Sequence, residues 1–116
     1  MKKQALVLAV AALAAGGVFA QAGDTLAKIT ERGAVNLGVR DSSGLAFTLG
    51  GGKYVGFHTE MAERIIDDLS KQAGKPLKIN YQVITSQNRV PLVQNGTIDF
   101  ECGSTTNNTA RQKHVD

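Results

Sequence analysis

At 116 residues, with 13 Lys and Arg against 10 Asp and Glu, the chain is long enough for one small domain. Two of the basic residues are Lys2 and Lys3, so the formal charge of +3 is concentrated at the start and the remainder is near neutral. That balance offers no electrostatic case for nucleic acid or for an acidic membrane surface.

The first 22 residues read as an export signal. Lys2 and Lys3 form a positive n-region, Ala5 to Val18 is an unbroken apolar run, and Val18-Phe19-Ala20 or Ala20-Gln21-Ala22 offers the small-x-small pattern of a cleavage site. The run is shorter than the roughly 20 residues a spanning helix needs, and Ala and Gly dominate it, which argues against a membrane anchor. The expected organisation is therefore a signal peptide over 1–22 and a mature chain over 23–116. The lone Cys102, bound for an oxidising compartment, hints at a thiol partner beyond this sequence. The polar stretch Ala110 to Asp116 leads into what reads as the start of another strand, so the chain is taken as a fragment.

Asp24 is placed to cap a short helix carrying Leu26 and Ile29, and Gly33 stands where a left-handed stop is wanted. Val35, Leu37 and Val39 then alternate with Asn36 and Gly38 at strand period, ending at Arg40. The following stretch is polar and glycine-rich, with Gly50-Gly51-Gly52 as a turn at the tip of a hairpin-like excursion. From Thr59 the spacing predicts a helix whose apolar face is Met61, Ala62, Ile65, Ile66, Leu69 and Ala73, stopped by Gly74 and Pro76. Glu60 and Glu63 in its first turn and Lys71 in its last suit the helix dipole. Leu77, Ile79, Tyr81 and Val83 alternate as a second strand. A short helix then carries Val90, Leu92 and Val93, with Pro91 in its first turn. Ile98, Phe100 and Cys102 supply a third strand. The order strand, helix, strand, helix, strand predicts an α/β fold, a parallel sheet with flanking helices and right-handed crossovers.

In open α/β sheets ligands bind beyond the carboxyl ends of the strands. The three exits here are Arg40-Asp41-Ser42-Ser43, Thr85 to Arg89, and Gly103-Ser104-Thr105-Thr106 followed by Arg111. Each pairs hydroxyls with an arginine. That combination suits a carboxylate, since a guanidinium fork bonds both oxygens while hydroxyls and backbone N–H groups complete the shell. Ser86 and Arg89 stand three apart at a helix start, and Ser104 and Thr106 two apart in extended chain, so each pair is expected to share a face. The plainer account of any one residue is that the hydroxyls cap helices and the arginines make surface ion pairs.

Competing motifs are weak. Gly50-Gly51-Gly52-Lys53 lacks the earlier glycine and the following Ser or Thr of a phosphate-binding loop. His58, His114 and Cys102 have no zinc spacing, and no Gly-x-Ser-x-Gly elbow is present. The sequons at Asn95 and Asn107 are discounted because the export signal has a bacterial look. No cofactor and no metal are expected.

The run from Ile84 to Asn108, ITSQNRVPLVQNGTIDFECGSTTNN, closely resembles the glutamate/aspartate periplasmic binding proteins of ABC importers. The start, from Thr25-Leu26 to Gly38-Val39-Arg40-Asp41-Ser42-Ser43, and Val55-Gly56-Phe57 entering a helix, resemble the wider amino-acid-binding family. The resemblance implies a periplasmic-binding-protein-like fold of two α/β lobes that close on the ligand, this chain being the first part of lobe 1. Carried over by position, it implies that Arg40, Ser86, Arg89, Ser104, Thr106 and Arg111 line the ligand site, with the arginines on the carboxylates. It also implies that the acid receiving the ligand ammonium, and the cysteine pairing with Cys102, lie further along. The expected partners are glutamate or aspartate and the membrane permease of an ABC importer, the protein being a periplasmic monomer and not an enzyme. The alternatives are an enzyme on the same fold, dehydratase-like or fused to a cell-wall lytic domain, and a ligand-sensing receptor domain.

Overall fold

The computed structural model describes residues 24–42 and 44–115. The expected signal over 1–22 lies outside these residues.

The first helix, α1 (Thr25–Arg32), starts where Asp24 accepts from the amides of Leu26 and Ala27 at 3.0 and 3.2 Å. These are donors that a helix start leaves unsatisfied. Gly33, at φ 70°, closes it by returning its N–H to the Ile29 carbonyl, 2.9 Å away. Ile29 is the buried residue that fastens α1 to the core.

Strand β1 (Ala34–Val39) is the centre of the main sheet. β4 (Lys78–Val83) runs parallel along one side, from Ala34 opposite Lys78 to Val39 opposite Val83. On the other side, β5 (Phe100–Glu101) pairs Leu37 with Phe100 and Gly38 with Glu101. The alternation expected of β1 is correct in period but not in exposure, because Ala34, Val35, Leu37, Gly38 and Val39 are all buried. A central parallel strand is covered on both faces. Val35, Leu37 and Val39 join Ile29, Ala62 and Ile66 in one core cluster. On the opposite face Gly38 leaves room for Ile84 and Ile98, since a Cβ there would fall 2.7 Å from Ile98 Cδ1 and 3.1 Å from Ile84 Cδ1.

The excursion after β1 is a hairpin of β2 (Phe47–Gly50) and β3 (Lys53–Val55), antiparallel and irregular between Thr48 and Gly50. Gly50, Gly51 and Gly52 all have positive φ, a run that only glycine adopts without strain. Tyr54 of β3 stacks on Tyr81 of β4 with ring centroids 5.1 Å apart, which ties the hairpin to the sheet.

Helix α2 (Phe57–Ala73) begins two residues earlier than the sequence predicts. Thr59 lies within the first turn as a buried core residue whose hydroxyl reaches the Val55 carbonyl at 3.4 Å. The entry is made by the backbone, the His58 N–H donating to the Leu45 carbonyl at 2.9 Å. Gly56 permits this approach: it sits at φ 117°, and a Cβ there would lie 2.5 Å from the Leu45 oxygen. The expected apolar face also divides. Ala62 and Ile66 are buried beside Thr59, whereas Met61 and Ile65 are 39% and 44% exposed. The buried stripe follows steps of three and four residues from Thr59, and Met61 and Ile65 stand one row outside it.

Short helix α3 (Arg89–Gln94) holds Pro91 in its first turn, as expected, and leads to β5. The third strand is shorter than the expected alternation. Ile98 is buried but precedes it, and Cys102 follows it as a half-buried thiol. Asp99 fastens this segment, its carboxylate accepting from the Asn36 amide at 2.7 Å and from Arg32, while its own N–H donates to the Asn36 carbonyl at 2.8 Å. After β5 the chain makes one 3-10 turn at Arg111–Lys113.

Candidate functional site

Because β4, β1 and β5 are parallel, their three carboxyl ends open at one end of the sheet. Arg40, one residue past β1, is half-buried and bridges the first exit to the second. Its Nη1 donates to Ser86 Oγ at 3.0 Å and its Nη2 to Ser42 Oγ at 3.1 Å. The next residue, Asp41, turns away and accepts from the Thr48 amide at 2.9 Å, fixing the hairpin. Ser43 lies outside the described residues.

The second exit is built by reciprocal bonds. The Thr85 amide donates to Asn88 Oδ1 at 2.7 Å and the Asn88 amide to Thr85 Oγ1 at 3.2 Å. This tight turn separates Ser86 and Arg89, which do not share a surface as expected. Ser86 is exposed and serves Arg40, whereas the Arg89 side chain is only 7% exposed. Its Nη1 lies 3.8 Å from Oε1 of Glu101, whose side chain is 10% exposed. An arginine at a strand exit is here part of the interior, with one guanidinium nitrogen that has no hydrogen-bond partner among the described residues.

At the third exit Ser104 and Thr106 are both exposed, while Thr105 between them turns inward and donates its hydroxyl to Glu101 Oε1. Arg111 folds back onto this exit, its Nη1 donating to the Thr106 carbonyl at 2.8 Å, and its amide N–H is held by Asn108 Oδ1 at 3.0 Å. A cleft of about 460 Å³ opens here, with Arg89, Glu101, Gly103, Thr105, Thr106 and Arg111 in its wall. Of the six residues expected from sequence, Arg89, Thr106 and Arg111 line this cleft. Arg40 and Ser86 form a separate bridge, and Ser104 stands outside the wall. Arg40 nevertheless lies beside one wall residue, because a Cβ on Gly103 would lie 3.8 Å from Arg40 Cγ.

Sequence reasoning missed Glu101 and Thr105. Glu101 had one legible signal, an acid placed between Phe100 and Cys102 where a parallel strand is otherwise apolar. Thr105 had none beyond its position between two residues expected to face the other way. Beside Glu101, the Cys102 thiol is pushed up from its ordinary pKa, first by burial and then by the neighbouring carboxylate, so it is held as a thiol rather than a nucleophilic thiolate. Among the described residues no cluster of His, Cys, Asp and Glu could hold a metal ion. What the site offers is guanidinium and hydroxyl donors at one end of the sheet, a donor set for an anion and above all for a carboxylate.

Residues 35–116 match the family described as bacterial extracellular solute-binding proteins, family 3. An L-glutamate/L-aspartate-binding protein of Pseudomonas aeruginosa is 48% identical over 96 residues, covering 79% of this chain and 32% of the relative. A glutamate/aspartate import solute-binding protein of Escherichia coli is 42% identical, covering 99% of this chain and 40% of the relative. The matched part of the chain thus spans 32% to 40% of the length of these relatives. Among solved structures, the solute receptor for L-cysteine of Neisseria gonorrhoeae superposes with a TM-score of 0.67 at 27% identity, over 78% of this chain and 36% of that one. An ancestral amino-acid-binding protein, a precursor of cyclohexadienyl dehydratase, shares the fold with a TM-score of 0.66 at 24% identity, over 77% and 37%. With its parallel three-stranded sheet, its donors gathered at the strand exits and these matches, the chain belongs to the bacterial extracellular solute-binding proteins of family 3.

Proposed function

We propose that the protein containing this chain captures glutamate or aspartate outside the cytoplasmic membrane and delivers it to the permease of an ABC importer. The observation that carries this reading is the arrival of Arg40, Arg89 and Arg111 at one end of the sheet, with Arg89 Nη1 buried and lacking a hydrogen-bond partner among the described residues. A dicarboxylic amino acid supplies two carboxylates for such donors. The relatives named for glutamate and aspartate support the choice of ligand.

In this reading Arg40, Arg89 and Arg111 take the carboxylates, and Ser86, Ser104 and Thr106 complete their hydrogen bonding. Residues 1–22 are the signal peptide and 23–116 the front of the first lobe. A second lobe closes over the ligand, supplies the acid for its ammonium and carries the cysteine that pairs with Cys102. The protein works as a periplasmic monomer, and it binds rather than transforms its ligand, a reading supported by the transport names of its relatives. The energetics suit capture. Micromolar affinity corresponds to about 8 kcal/mol, and hydrogen bonds to charged groups contribute roughly 1.5–3 kcal/mol each.

Titration calorimetry on the full-length gene product tests the proposal. Micromolar or tighter binding of glutamate or aspartate is expected, with none for arginine, lysine or histidine. Binding of the basic amino acids alone would overturn it, and turnover of any of them would favour an enzyme on this fold.

A further inference from the structure

Arg89 and Glu101 form an ion pair in which both side chains are at least nine-tenths buried. Its geometry is unusual for such a pair. The approach of 3.8 Å between Nη1 and Oε1 is too long for a hydrogen bond, and Nη1 and Glu101 Oε2 are both buried with no hydrogen-bond partner among the described residues. Oε1 is held instead by the Thr105 hydroxyl. Oε2 occupies space that Gly103 leaves open, because a Cβ at that position would lie 2.5 Å from it. The carboxylate is therefore seated by Thr105 on one side and Gly103 on the other, close enough to compensate the Arg89 charge without occupying its N–H groups. Both residues stand in the wall of the cleft.

A buried guanidinium with no opposite charge is strongly disfavoured, so a site that keeps one waiting for an anion needs an anion of its own. We propose that Glu101 is that resident counter-ion: it holds Arg89 in the wall of the empty cleft and competes with an incoming carboxylate for the guanidinium. This rests on the reading that Arg89 receives a ligand carboxylate, and it makes Glu101 a positioning residue that sets how tightly the site takes acidic ligands. The long contact is what lets the competition be lost. A ligand oxygen at hydrogen-bond distance from Nη1 outbids a carboxylate held at 3.8 Å.

The test uses the full-length gene product as wild type, Glu101→Gln, Arg89→Met and the double variant Glu101→Gln with Arg89→Met. Glutamine keeps the shape and can still accept from Thr105. Without ligand, Glu101→Gln should melt below wild type, and the double variant should recover most of that loss, because it removes the unpaired charge as well. With charge repulsion gone, Glu101→Gln should bind glutamate about threefold tighter or more at low ionic strength. A double variant that melts below Glu101→Gln, or a Glu101→Gln protein that binds glutamate more weakly, would overturn the inference. If Glu101→Gln alone does not fold, Arg89→Met against the double variant decides, the double variant being expected to be the more stable. A wild type that ignores glutamate would remove the functional reading, while the melting comparison would still decide the pairing.

Discussion

The Arg40 guanidinium at the end of β1 reaches across to the Ser86 hydroxyl beyond β4, 3.0 Å away, while its other terminal nitrogen holds Ser42. Two loops far apart in sequence are thereby joined by one side chain, which also passes close to Gly103 of the cleft wall. Among the described residues this half-buried arginine bonds neutral hydroxyls, which leaves its charge for a stronger, ionised acceptor.

Replacing Arg40 with Ala in the full-length gene product is therefore expected to cost about 2–5 kcal/mol of glutamate binding. Its thermal midpoint should change little, since its partners are exposed hydroxyls that water can satisfy. Arg64 is the control. It pairs at 2.6 Å with Glu60 on the outer side of α2, with side chains 79% and 64% exposed. Arg64→Ala should leave both binding and melting unchanged, and equal loss from the two variants in calorimetry would refute the assignment.

Arg89→Ala is expected to behave differently. It removes a side chain that is almost wholly buried and leaves Glu101 uncompensated. Loss of binding should come with a loss of stability of about 3–5 kcal/mol, read by urea denaturation. Unchanged stability would mean that the pair is not formed in solution.

Tyr81 offers a test of the fold at high pH. Its hydroxyl donates to Glu63 at 2.6 Å, and its pKa is pushed up to about 12, first by burial and then by the bond and charge of Glu63. Because the folded value lies above the ordinary value of 10.0, the contribution of Tyr81 is present in full below pH 10 and is lost as pH rises toward 12. Melting curves from pH 8 to 12 should show wild type losing its advantage over Tyr81→Phe in that window. A constant difference between the two proteins would disprove the coupling.

Gly38→Ala should destabilise the protein by about 1–3 kcal/mol, because the added methyl meets Ile98 and Ile84 on the buried face of β1. The measurement is the urea midpoint. A neutral outcome would show that the packing between β1 and these isoleucines is looser than described.

The elements themselves were legible in the chain because their causes are local. Asp24 and Gly33 bound α1, the glycine run makes the hairpin turn, Gly74 ends α2, and Pro91 marks the first turn of α3, all by backbone preferences that neighbours in sequence impose. The strand exits were legible for the same reason, and with them the arginines and hydroxyls.

What only the tertiary structure decided is which of those groups meet and how deeply they lie. Nothing local distinguishes Ser86, which turns outward to serve Arg40, from Arg89 three residues on, which is buried against Glu101. Nor could periodicity choose between Ile66, which is buried, and Ile65, which is exposed, until β1 and α1 were packed beside α2. Secondary structure follows from interactions within a few residues, and these were written in the sequence. Burial, and with it which charges face one another in a cleft, is set by contacts between residues such as Arg89 and Glu101 that only the closed sheet brings together.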